Sequence, residues 1–127
     1  MTQRENISGA LSVLQRAATR IRSIEDEARE ALFKNDDPEA YRKKLQEKTE
    51  LLMELPEAAG PYYEGMAEDI RAEFGAELKS LARRAAQALN LSSLFYMSAL
   101  LYPEDYRDGD PNDLELLIQR LRTRYLP

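Results

Sequence analysis

Carboxylates at helical spacing are the first residues in this chain that could do chemistry. Glu27 and Glu30 stand three residues apart, as do Glu47 and Glu50. On a helix that spacing puts two side chains on neighbouring turns of one face. A magnesium ion held by such pairs can activate water without histidine. Glu64, Glu68 and Asp69 form a looser acidic group that could complete the set. Together these five to seven side chains define one alternative, a magnesium-dependent all-α nucleotide hydrolase working through helix carboxylates.

The all-α nucleotide pyrophosphohydrolases follow Glu-x-x-Glu with Glu-x-x-Asp on a facing helix, and no Asp here lies three residues after a Glu. Glu104, Asp108 and Glu115 fall at positions one, five and twelve of a calcium loop centred on Gly109, but Tyr106 holds position three and Pro111 position eight. Asp36-Asp37 begins a diphosphate-binding pattern that ends at Ala40. There is no Cys and no His, so thiolate nucleophiles, disulfides, imidazole bases and the usual zinc sites are excluded. None of the five glycines clusters into a phosphate loop. No cofactor is expected.

Arginines gather at 16, 20 and 22, at 83 and 84, and at 120, 122 and 124. The last set suits a helix C-terminus, where cations complement the dipole. It also allows a second alternative, a nucleic-acid-binding regulator using a C-terminal Arg-rich helix. A formal charge of -5 opposes broad attraction to phosphates.

Seven Tyr and three Phe, with no Trp, tilt the aromatic content toward a side chain with an apolar body and a polar tip, which suits protein contacts. Tyr62 and Tyr63 stand together, and Tyr96, Tyr102 and Tyr106 surround a short apolar segment containing Leu101. These six residues are the candidate partner-binding set. No complete catalytic constellation accompanies them. The expected function is therefore a non-enzymatic helical interaction protein acting by self-association or by binding a partner protein. A homodimer is expected, because a closed two-fold pair is the commonest way to cover a leftover apolar stripe.

The elements that must position these residues are helices. Ile7, Leu11, Leu14, Ala18, Ile21, Ala28 and Leu32 recur at steps of three and four, with one miss at Glu25. Asp37-Pro38 caps a second helix, whose stripe of Tyr41, Leu45, Leu52 and Leu55 is broken by Lys48. There the aliphatic stem of the lysine is expected to cover the gap. Pro56 ends this helix by forcing Leu55 out of helical geometry, and residues 56 to 60 read as a turn. A third long helix carries Tyr63, Met66, Ile70, Phe74, Leu78, Leu81, Ala85 and Leu89. After a Ser92 or Ser93 cap, residues 94 to 102 form a short helix, apolar nearly all round and so expected to be buried on most sides. An acidic loop from Glu104 leads to Asp110-Pro111, a second cap-plus-proline signature, and a last helix carries Leu114, Leu117, Ile118, Leu121 and Tyr125.

The 127 residues thus predict an all-α fold, a bundle of two long antiparallel-connected helices plus shorter ones, four to five in total, in a single domain over 1–127. The longest apolar run, Leu91 to Tyr102, is shorter than the ~20 residues of a membrane span. The polar opening Met1–Asn6 has no signal-peptide character, and a cytoplasmic location is expected.

Overall fold

The Thr2 hydroxyl accepts the Glu5 amide at 3.1 Å and starts α1, Gln3–Phe33, about 46 Å long at 1.5 Å per residue. Asp36, in the left-handed region at φ 48°, turns the chain back. The Asp37 carboxylate then accepts the Ala40 amide at 3.0 Å and Pro38 fills the first turn of α2, Pro38–Met53. The computed structural model describes residues 1–127, and all of its regular structure is helical. α3 covers Leu55–Ala59, α4 Glu68–Asn90, α5 Leu94–Ala99 and α6 Asp113–Tyr125, with a 3-10 turn at Gly60–Gly65 between α3 and α4. α1 packs along α2 and α6, and α2 packs along α4. Their facing stripes close one main core around Leu11, Leu14, Ile21, Phe74, Leu78 and Leu121. A smaller apolar cluster of Ala28, Leu45, Ala88 and Met97 fills the end where α5 sits.

Four local expectations are corrected. Pro56 does not end helical structure. It occupies the first turn of α3, where no amide is needed, so Leu55 starts a new helix and is buried in the core. The third long helix begins later than its stripe suggests, because Tyr62 and Tyr63 lie in the 3-10 turn and Met66 is extended. Tertiary contacts impose this. The Asn6 side chain occupies the place a Cβ on residue 65 would need, the Tyr62 ring does the same at Gly9, and the Gln3 side chain accepts the Ala67 amide at 2.6 Å. Residues 60 to 67 therefore wrap the start of α1.

α5 is shorter and far more exposed than expected. Met97 is buried, but Phe95 and Tyr96 are 74% and 54% exposed, because the helix rests on the bundle through one side only. It ends at Ala99, and Leu101 turns through φ 78°, a left-handed conformation that costs a non-glycine residue about 1–2 kcal/mol. Finally, Asn112 rather than Asp110 caps α6. Its side chain accepts the Glu115 amide at 2.9 Å while the Glu115 carboxylate accepts the Asn112 amide at 2.8 Å. The Asp110 carboxylate is held instead by the Arg107 amide.

Candidate functional site

The two breaks in the apolar stripes meet. Glu25 of α1 and Lys48 of α2 both point inward and form an ion pair at 3.0 Å, with side chains 7% and 0% exposed. An isolated charge at that depth would be strongly unfavourable, and a pair survives only when its remaining hydrogen-bonding capacity is met. Here the Lys48 ammonium also donates to the carbonyls of Ser98 at 3.2 Å and Leu100 at 3.0 Å. The second Glu25 oxygen accepts the Tyr102 hydroxyl at 2.5 Å, and Lys48 Nζ lies 5.2 Å from the centre of the Tyr102 ring. Burial pushes the ammonium below its ordinary value, with Glu25 opposing the shift. Burial and then Glu25 hold the Tyr102 phenol well above the usual range. The left-handed turn at Leu101 presents the Leu100 carbonyl to Lys48 and the Leu101 carbonyl to the Asp113 amide at 2.9 Å.

One helical turn away, Arg22 extends the network toward solvent. Its guanidinium donates to both Glu115 oxygens at 2.6 and 3.2 Å, to the hydroxyls of Tyr102 and Tyr106, and to the Asp110 carbonyl. Tyr102 and Tyr106 pack edge to face with centroids 4.7 Å apart. The Arg22 hydrogen bonds hold the Glu115 carboxyl below the ordinary carboxylate range. The network thus fastens the whole connection from α5 to α6 onto α1 and α2. Of its members, the candidate set contained only Tyr102 and Tyr106. The signal for Glu25 and Lys48 was the opposite charge of these two stripe breaks, and no local signal marked Arg22 or Glu115.

On its outer side this fastened segment borders a groove of about 470 Å³ between the C-terminal half of α4 and residues 99–103. Leu91, Tyr96, Leu100 and Leu101 supply apolar lining, and Arg84 and Asp113 stand in it 3.6 Å apart. Leu91 is 66% exposed, and Phe95 packs edge to face on Tyr96 with centroids 5.5 Å apart. Three large apolar side chains are therefore in water at one end of the bundle.

The six tyrosine-centred candidates divide. Tyr96 lies on this exposed tip. Leu101 is buried beneath it. Tyr102 and Tyr106 are turned inward to the network. Tyr62 and Tyr63 are partly buried beside the start of α1, packed on the main core, where the Tyr63 hydroxyl has no partner and burial raises its pKa.

Glu27 and Glu47 do face each other across α1 and α2, but two cations lie between them. Arg20 contacts them at 3.0 and 2.7 Å and Lys44 at 2.9 and 3.4 Å. Glu30, Glu50, Glu64, Glu68 and Asp69 are exposed, with Glu68 and Asp69 complementing the α4 dipole. Nowhere do three or more carboxylates converge in a way that could hold a metal ion. In the calcium-loop region the Arg22 guanidinium occupies Glu115. Arg120 pairs with Glu77 at 2.9 Å and Arg124 with Glu73, so two of the three C-terminal arginines are engaged by α4. Glu47→Gln is expected to change stability by less than about 1 kcal/mol, as exposed pairs do, and to produce no magnesium-dependent heat in calorimetry.

Acid should weaken the fold through these pairs. The carboxyls of Glu27, Glu73 and Glu115 are all held below their ordinary value of 4.5, chiefly by Lys44, Tyr125 and Arg22 respectively. The unfolded chain then takes up protons first. Their contribution is present above about pH 4.5 and lost as pH falls through the lower folded values. At the alkaline end, the raised phenols of Tyr63, Tyr102 and Tyr125 keep protons that the unfolded chain releases near pH 10, so stability falls above that pH. Lys48, with a lowered value, acts oppositely below 10.5. Melting temperature followed from pH 2 to 12 should show both falling limbs.

No helix is long and apolar enough to cross a membrane. Comparison with models of known protein families, with curated proteins and with solved structures finds no match.

Proposed function

We propose that this protein is a non-enzymatic helical interaction module that docks another protein surface through the tip formed by α5 and the end of α4. The observation that carries this function is the exposure of Leu91, Phe95 and Tyr96 beside an apolar groove. Soluble chains rarely leave large apolar groups clustered in water without using them. The buried Glu25–Lys48 pair and the Arg22 clamp hold the segment that bears them, so the surface is organised before a partner arrives and little ordering entropy is lost on binding.

Both alternatives are disfavoured by contacts. The carboxylates that would face a magnesium ion across α1 and α2 already flank Arg20 and Lys44, and α4 acids hold Arg120 and Arg124. The native protein is expected to bind the apolar dye 1-anilinonaphthalene-8-sulfonate at the tip. Leu91→Glu combined with Phe95→Glu should weaken that binding about tenfold or more. The melting temperature should move only slightly, since both side chains are exposed. Dye binding unchanged in the double variant would remove the tip as the docking surface.

A further inference from the structure

We propose that the groove receives a second copy of this chain, in a two-fold pair that seats the Phe95–Tyr96 edge of each copy in the groove of the other. This rests on the reading of the tip as a docking surface and names its occupant. A two-fold interface needs one patch that carries both a projection and the hollow to take it. The tip has both, side by side. The Phe95 and Tyr96 rings project from α5, and Tyr96 is also a wall of the 470 Å³ groove.

The charges agree. The chain as a whole is at -5, so most pairings of two copies set like charges together. The groove itself holds one cation and one anion, Arg84 and Asp113, each partly exposed. These two pair with each other at 3.6 Å within the chain, so the groove is locally neutral and can face its own copy without the like-charge repulsion that the rest of the surface would bring.

The area agrees as well. At their observed exposures, Leu91, Phe95 and Tyr96 present roughly 400 Å² per copy, taking ~200 Å² for a fully exposed large apolar side chain. Two copies bring about 800 Å², and the groove walls carry the total to the ~1,000 Å² at which specific interfaces begin. That is the small end of the range, so the dimer should be weak, with a dissociation constant on the order of 100 μM.

Sedimentation velocity on the full chain from about 10 μM to 1 mM tests it. The expected result is a shift from monomer to dimer across that range. Phe95→Glu should raise the dissociation constant about tenfold or more. Leu91→Glu should weaken association as well, while the melting temperature of either variant moves only slightly because both side chains are exposed, a pattern that simple destabilisation would not produce. A wild-type chain that stays monomeric throughout, while dye binding remains sensitive to Leu91→Glu and Phe95→Glu, overturns the second copy and leaves the docking surface standing for another protein. A dimer indifferent to Phe95→Glu and to Leu91→Glu places the interface elsewhere and overturns the proposal. Monomer together with tip-independent dye binding overturns both.

Discussion

Lys48→Met should lower the stability of the folded chain by about 3–5 kcal/mol, the cost of leaving a buried charge without its partner. The substitution nearly preserves volume, so little of that loss comes from packing. It comes from Glu25, 7% exposed and then facing apolar neighbours with only the Tyr102 hydroxyl to stabilise it. The carbonyls of Ser98 and Leu100 lose their donor as well. Against a typical total of 5–15 kcal/mol, the loss should be plain in the urea midpoint.

The double variant Glu25→Leu with Lys48→Met should recover most of it, because a well-packed apolar pair is often as stable as a buried ion pair. The cycle of four proteins gives the coupling directly. A cost below about 1 kcal/mol for Lys48→Met would mean that water reaches the pair. The Lys48 single variant should also weaken dye binding at the tip, since the two released carbonyls belong to the segment that ends α5 and lines the groove.

Leu101→Asp should unfold the chain at physiological temperature or leave it binding dye as a loosened state. Leu101 is a buried member of the main core. Removing it forfeits about 2–5 kcal/mol of burial and packing, and the new carboxylate adds a desolvation cost of at least ~1–3 kcal/mol. Low pH should partly relieve the defect by protonating that carboxyl. Leu101→Gly separates side chain from backbone. At φ 78° glycine relieves the ~1–2 kcal/mol of left-handed strain while losing the same packing, so it should be the milder change in a thermal melt followed by circular dichroism. An aspartate variant that melts with the wild type would show that residue 101 is not part of the core.

The long helices and the faces they bury were legible because burial at every turn requires apolar residues at steps of three and four, and the stripes from Ile7 and from Ile70 record that requirement directly. The helix start at Asp37 was legible, and that at Ser93 was narrowed to Ser92 or Ser93, for the same local reason, a side chain accepting an amide three residues on. The misplaced boundaries at Pro56, Tyr62 and Asp110 have separate causes. Pro56 turned on which side of a helix break the proline lies, Asp110 on which of two competing caps closes, and Tyr62 on neighbours distant in sequence, where Asn6 packs on Gly65 and the Gln3 side chain accepts the Ala67 amide. The candidate site was half visible. Tyr96 was singled out for its type and Tyr102 and Tyr106 with it, but whether a tyrosine faces a partner or the interior depends on what lies opposite.

By itself the order of residues determined an all-helical chain, some of its caps, Asp37 among them, and a chemistry without thiols or imidazoles, because periodicity, capping and composition act over a few residues. Only the tertiary structure decided that Glu25 and Lys48 are partners rather than two flaws, that Arg22 clamps Glu115 from 93 residues away, and that Phe95 and Tyr96 stay in water. Charge pairing and exposure are properties of what meets across space, and the three-four period records only which way a side chain points along its own helix.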